Sequence, residues 1–196
     1  MDKEWDGRPD PELLLRQNFP EGESDGKGKL KIFFGYAAGV GKTYAMLDAA
    51  RQEKEAGRDV VAGYIEPHDR PDTMALLDGL EFLPPRTVGY KGIVLREFDL
   101  DAALIRRPDL ILVDELAHTN AQGSRHRKRC QDVTELLDAG INVYTTVNVQ
   151  HLESLHDIVA SITHVRVSER IPDSVFDNAS QVELVDISPE ELRQRL

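Results

Sequence analysis

Nine consecutive residues, Gly35-Tyr36-Ala37-Ala38-Gly39-Val40-Gly41-Lys42-Thr43, join a glycine-rich turn to a lysine and a hydroxyl. Glycines let a backbone turn tightly enough for several N–H groups to point into one concavity, which suits an anion. A helix opening at Lys42 would add the positive end of its dipole. Lys42 could then reach the β- and γ-phosphates of a nucleotide, and Thr43 could place its hydroxyl on Mg²⁺. The apolar run from Leu30 to Phe34 precedes this turn, so strand, turn and helix follow in the order of a P-loop. In the usual spacing four residues separate the first glycine from Gly-Lys; here five lie between Gly35 and Gly41, and Tyr36 holds the expected first-glycine position.

A second group of residues has matching chemistry. Asp109 to Val113 is an apolar strand that ends in Asp114 and Glu115, as in a Walker B motif. Asp114 is expected to hold Mg²⁺ together with Thr43, and Glu115 to orient or deprotonate an attacking water or hydroxyl. Adjacent strand residues point to opposite faces, so these two carboxylates are expected to diverge. Other strand ends carry weaker candidates: Glu66 and His68, then His118, Thr119 and Asn120, then Thr145, Thr146 and Asn148. Asn148 reads either as a γ-phosphate contact or as a helix cap. The only dense basic run, Arg125 to Arg129, reads as a solvated face or as an anion site led by Arg125. His156 lies in a helix that follows a buried strand and reads as structural.

Strands alternating with helices position these residues. Strands are expected at Leu30–Phe34, Asp59–Ile65, Asp109–Val113 and Asn142–Val147, with less regular ones at Val165–Val167 and Val182–Val185. Helices are expected at Lys42–Ala56, Pro71–Leu80, from Asp99 to before Pro108, at Arg125–Ala139, from Asn148 to Ile162, and after the capping box Ser188-Pro189-Glu190-Glu191. A hairpin is expected over Thr87–Leu95, turning at Lys91-Gly92. The alternation implies an α/β fold, P-loop NTPase-like, with a mostly parallel sheet covered by helices on both faces. In such sheets ligands bind beyond the carboxyl ends of the strands, where the motifs above fall. Residues 1–29 read as a short helix around Leu13-Leu14-Leu15 and a linker, and residues 30–196 as the nucleotide-binding domain.

Bulk composition narrows the function classes. A chain of 196 residues with a net charge of −11 is a poor non-specific partner for nucleic acid or anionic lipid. No apolar run approaches the roughly 20 residues that span a bilayer, so no direct membrane insertion is expected. The acidic N-terminus lacks a signal-peptide core, and Cys130 is the only cysteine, which together point to the cytoplasm.

With these motifs in hand, the sequence closely resembles the N-terminal cytoplasmic domain of the KdpD potassium- and turgor-responsive sensor histidine kinases. The resemblance runs through Arg8–Pro11, Gly28–Gly35, Ala38–Thr43, Leu112–Asn120, Gly123–His126, Glu135–Gly140 and Val147–Ser154. The combination of Val113-Asp114-Glu115-Leu116-Ala117-His118-Thr119-Asn120 with Asn148-Val149-Gln150-His151-Leu152-Glu153 is far more specific than a P-loop. The extra residue between Gly35 and Gly41 is normal for that family. Cys130 and Arg127 depart from it, standing where an aromatic residue and a proline are usual.

The resemblance implies a bacterial inner-membrane sensor in which this cytoplasmic segment binds ATP. Transmembrane helices, a stress-protein-like domain and the histidine kinase core would lie further along a longer chain. Its partners would be those domains, the response regulator KdpE and the potassium pump that the system controls. Three roles are compatible with the motifs: a regulatory ATP-binding module, a slow ATPase or Ser/Thr-type protein kinase using Glu115, or an interaction module with a vestigial P-loop. The intact Lys42, Thr43, Asp114 and Glu115 argue against the third.

Overall fold

The chain is described here from a computed structural model that covers residues 26–66, 71–90 and 92–195. The expected helix around Leu13–Leu15 and His68 lie outside the described residues.

Six strands form one sheet: β1 (Leu30–Gly35), β2 (Val60–Tyr64), β3 (Glu81–Phe82), β6 (Leu110–Val113), β7 (Asn142–Asn148) and β8 (Gln181–Leu184). Their order is β3-β2-β6-β7-β1-β8, and every neighbouring pair is parallel. A separate antiparallel hairpin pairs β4 (Arg86–Tyr90) with β5 (Ile93–Glu97). Gly92, just before β5, has φ +84°, the conformation a side chain would resist.

Alternation along the central strands sends side chains into two cores. Phe33, Val60, Ala62, Leu110 and Leu112 face Met46, Leu47 and Ala50 of helix α1 (Lys42–Glu55). Ile32, Val61, Ile111, Val113 and Val143 face the other way. There they meet Leu100 and Ala103 of α3 (Leu100–Arg106), and Val133 and Leu136 of α4 (Arg129–Asp138). Both faces of β2 and β6 are buried, which explains why these strands read as continuous apolar runs.

Several local signals act as expected. Asp99 accepts from the backbone N–H of Ala102 at 3.0 Å and caps α3, which stops at Arg107 before Pro108. Ser188 and Glu191 exchange hydrogen bonds of 3.2 Å at the start of α7 (Pro189–Arg195), a reciprocal capping box.

Other elements differ from expectation. Helix α2 is only Pro71–Ala75; bonds from Leu76, Leu77 and Asp78 back to the third residue before each continue as turns to Gly79, at φ +79°. The chain then adds the short edge strand β3, which the sequence reading lacked. Helix α4 begins at Arg129 rather than Arg125. The preceding residues are held in a loop by a bridge from Thr119 to Lys128 and by the Asn120 N–H bonded to the Arg127 carbonyl at 3.0 Å. Val165–Val167 forms no strand, and Val165 is exposed. The expected helix from Asn148 is also interrupted. Two 3₁₀ turns precede α5 (His156–Thr163), because Leu152 is drawn into the core and bridges to Ile171. The segment between α5 and β8 contains α6 (Asp173–Asp177), whose Phe176 packs edge-on against Phe34.

Candidate functional site

β1, β6 and β7 end side by side, and a cleft of about 300 Å³ opens beyond their carboxyl ends. Gly39 and Gly41 have φ of +92° and +105°, so the turn after β1 requires glycine at both places. Between them Val40 turns inward and is buried. Gly35 permits this packing: a Cβ there would lie 2.7 Å from Val40 Cγ2 and 3.0 Å from the Lys42 side chain. The turn thus brings Gly39, Gly41, Lys42 and Thr43 to the cleft, while Gly35 and Val40 support it from behind. Lys42 Nζ donates to the Ala37 carbonyl at 2.8 Å, which arches the side chain back over the turn. The N-terminus of α1, 14 residues long, opens at the same point and brings the positive end of its dipole there.

β7 lies between β1 and β6 and bridges the two motifs. Thr43 Oγ1 donates to Asp114 Oδ2 at 3.1 Å. Thr146 of β7 donates its hydroxyl to the other Asp114 oxygen. The backbone N–H groups of Glu115 (3.1 Å) and Glu66 (3.4 Å) also donate to Asp114. Asp114 is almost fully buried, so this set of donors compensates a carboxylate removed from water.

Glu115 does not diverge from Asp114 as strand alternation suggests. The strand ends at Val113, and Glu115 adopts φ +58°, a left-handed conformation that is uncommon outside glycine. That turn brings both carboxylates to the cleft wall. Burial raises the Glu115 pKa above the ordinary carboxylate value, and the negative charges of Asp114 and Glu66 push it in the same direction. A raised carboxyl in a cleft is suited to exchanging a proton.

Asn148 reaches the cleft but is no helix cap. It closes β7, makes no side-chain capping bond, and its buried Oδ1 has no hydrogen-bond partner among the described residues. His118 reaches the cleft as well, whereas Thr145 is buried and donates to the Val113 carbonyl at 2.5 Å. Asn120 instead bonds Asp132 at 2.6 Å beneath the loop. The sequence reading missed His151 and Glu169 on the rim, where His151 Nδ1 lies 2.9 Å from the Glu169 carbonyl. They come from the irregular segments after β7, which carry no periodic signal.

The basic run separates into unlike parts. Arg125 pairs with Asp101 and Glu135 at the surface and is not among the residues lining the cleft. Replacing Arg125 by Gln is expected to change stability by less than about 1 kcal/mol, because exposed ion pairs contribute little. Nucleotide affinity should stay the same, and calorimetry with chemical denaturation checks both. Arg129 is the opposite case. It is wholly buried, donates to the Asp114 carbonyl at 3.0 Å and to Glu97 at 3.4 Å, and stacks 4.1 Å from the centre of the Tyr64 ring. The run therefore joins exposed Arg125 and Arg127 to a structural arginine, Arg129, under the cleft.

Comparison with known proteins bears out the family resemblance. Residues 26–196 match the family described as "KdpD: Osmosensitive K+ channel His kinase sensor domain". The chain is 64% identical over 188 residues to the sensor protein KdpD of Clostridium acetobutylicum, and 57% identical over 189 residues to that of Escherichia coli. Each alignment covers 96% of this chain and 21% of the relative, so the chain spans about a fifth of the length of these proteins. Against the Mycobacterium tuberculosis sensor protein KdpD the identity is 55% over 170 residues, 87% of this chain and 20% of the relative. The glycine-rich turn, the Asp114–Glu115 strand end and the segment after β7 all fall inside these matches, and the chain belongs to the KdpD sensor-domain family.

Proposed function

We propose that the chain is the cytoplasmic ATP-binding regulatory domain of a KdpD-type two-component sensor histidine kinase, with a P-loop NTPase-like site. The observation that carries this reading is the 3.1 Å contact between Thr43 Oγ1 and Asp114 Oδ2, set beneath the N-terminus of a long helix. A hydroxyl and a carboxylate so close, from segments 71 residues apart, form a pair of oxygens that one small hard cation can share. Among the described residues no group of three or more His, Cys, Asp and Glu side chains is arranged to hold a metal. A cation here would therefore take its other ligands from water and phosphate, which is the habit of Mg²⁺.

Thr43 and Asp114 would hold that ion, and Gly39, Gly41 and Lys42 would bind the phosphates. Bound Mg²⁺ would neutralise phosphate charge. Asn148, whose Oδ1 has no hydrogen-bond partner among the described residues, can take a donor from the nucleotide or its water. In the longer protein, ATP occupancy would bias a histidine kinase core that phosphorylates a response regulator and so controls a potassium pump under potassium limitation or osmotic stress. Membership of the KdpD family supports that part. Among the described residues no helix is long and apolar enough to cross a membrane.

Replacing Lys42 by Ala tests the reading. It removes the cationic side chain aimed at the phosphates, and charge-assisted hydrogen bonds contribute roughly 1.5–3 kcal/mol each. ATP affinity is expected to fall at least about tenfold. Titration calorimetry in Mg²⁺ on both proteins measures it, with circular dichroism showing that the variant folds. Equal affinities, or no ATP binding by the unaltered chain, would sink the proposal.

A second reading has its own support. Glu115 sits in the cleft with a raised pKa, as a general base would. The domain would then be a slow ATPase or a Ser/Thr-type protein kinase.

A further inference from the structure

One buried cluster beside the cleft is unused by the reading above. Glu97, the last residue of β5, is almost fully buried, and both of its oxygens face His118 Nε2, at 3.2 and 3.3 Å. It also accepts from the Ala121 N–H at 2.9 Å and from Arg129 at 3.4 Å. The loop after β6 and the first turn of α4 thus converge on one carboxylate. Burial pushes its pKa up, but the His118 contact, the Ala121 N–H and the Arg129 charge together hold it below its ordinary value. Glu97 is therefore an anion that accepts, and His118 Nε2 must donate to it.

This fixes the imidazole. With Nε2–H committed to Glu97, Nδ1 is the ring nitrogen left for the cleft that His118 lines. His118 stands four residues beyond Asp114, on the same wall as Glu115, and its side chain is still 26% exposed. A surface histidine with no cleft role would need no buried carboxylate to orient it.

We propose that His118 is a specificity-determining contact for the terminal phosphate of the nucleotide, made through a water that donates one O–H to Nδ1 and the other to a phosphate oxygen, and that Glu97 is its positioning residue. The inference rests on the proposed ATP site. It predicts that His118 separates ATP from ADP, since Lys42 and the turn would bind phosphates of both. Through Glu97, the same contact reaches the β4–β5 hairpin, so the hairpin senses which nucleotide is bound.

The test is calorimetry with Mg-ATP and Mg-ADP on the unaltered chain and on His118→Phe, Glu97→Gln and the double variant. His118→Phe is expected to weaken ATP about tenfold and leave ADP within about twofold. Glu97→Gln should shift the ATP-to-ADP ratio in the same direction by a smaller factor. The double variant should match His118→Phe alone, because Glu97 acts through the ring. Equal losses for ATP and ADP in His118→Phe, or additive effects in the double variant, would overturn the inference. Failure of the unaltered chain to bind ATP would overturn the proposed function itself, a separate outcome.

If Glu97→Gln does not fold, nitrogen NMR of the unaltered chain decides the matter. The Nε2–H tautomer of His118, with a Nδ1 shift that moves on adding ATP and not ADP, supports the assignment. An Nδ1–H tautomer, or identical shifts with both nucleotides, refutes it.

Discussion

Phosphate release from ATP is expected to fall by about 10²–10⁴-fold when Glu115 becomes Gln, while ATP remains bound. The substitution keeps the size of the side chain and one accepting oxygen but removes its basicity. Affinity for ATP should rise, because a negative charge beside the phosphates is gone. Glu115 belongs to the site through its left-handed backbone and its place on the cleft wall, neither of which the amide alters. The unaltered chain is expected to turn over slowly, since a sensor needs a bound state that lasts. Single-turnover phosphate release on both proteins measures the difference. Equal rates would remove Glu115 as a base, and no turnover in the unaltered chain would leave the purely regulatory reading in place.

The same variant has a stability consequence whose sign follows from the raised pKa of Glu115. A carboxyl whose pKa is raised on folding binds its proton more tightly in the folded state. Stability is then lost as pH rises from the ordinary value of 4.5 through the raised one, and stays lower above it. Glu115→Gln removes that loss. Its Tm should exceed that of the unaltered chain at pH 7, and the gap should close as pH falls toward 4.5. A gap independent of pH would mean that the ionised carboxylate is not what strains the site.

The largest effect on folding is expected at Arg129. Replacing it by Met leaves Glu97 buried with one cationic partner fewer, and leaves the Asp114 carbonyl without its donor. Breaking a buried charged pair by removing one partner costs about 3–5 kcal/mol. For a chain of this size that corresponds to a Tm lower by roughly 10 °C. Changing Glu97 to Gln in the same protein should restore part of the loss, because an amide tolerates burial without the guanidinium better than a carboxylate does. Thermal melts of the two single variants and the double variant give the coupling. A loss below about 1 kcal/mol for Arg129→Met would mean that the guanidinium is dispensable. The stacking on Tyr64 would then be incidental.

Much of the site is legible in sequence because its first determinants are local. A turn that needs φ near +90° at two places selects glycine, and Gly39 and Gly41 occupy those places just ahead of Lys42 and Thr43. The buried strands read as unbroken apolar runs, and the caps at Asp99 and Ser188 act within three residues. Family membership was legible in the same way, from contiguous stretches around Asp114 and after β7.

Tertiary structure decided the rest, for reasons that lie in strand order and side-chain reach. Only the insertion of β7 between β1 and β6 brings Thr146 onto Asp114 and lets Asn148 reach the cleft instead of capping a helix. Strand alternation alone would separate Asp114 from Glu115, whereas one positive φ reunites them. The run Arg125–Arg129 looks uniform as text, yet one arginine pairs at the surface and another is sealed beneath the site. What distinguishes them is where their partners lie: Asp101 and Glu135 are outside, and Glu97 and Tyr64 are inside. Such partners stand tens of residues away along the chain, and only the packing of a hairpin and two helices around one strand end brings them into contact.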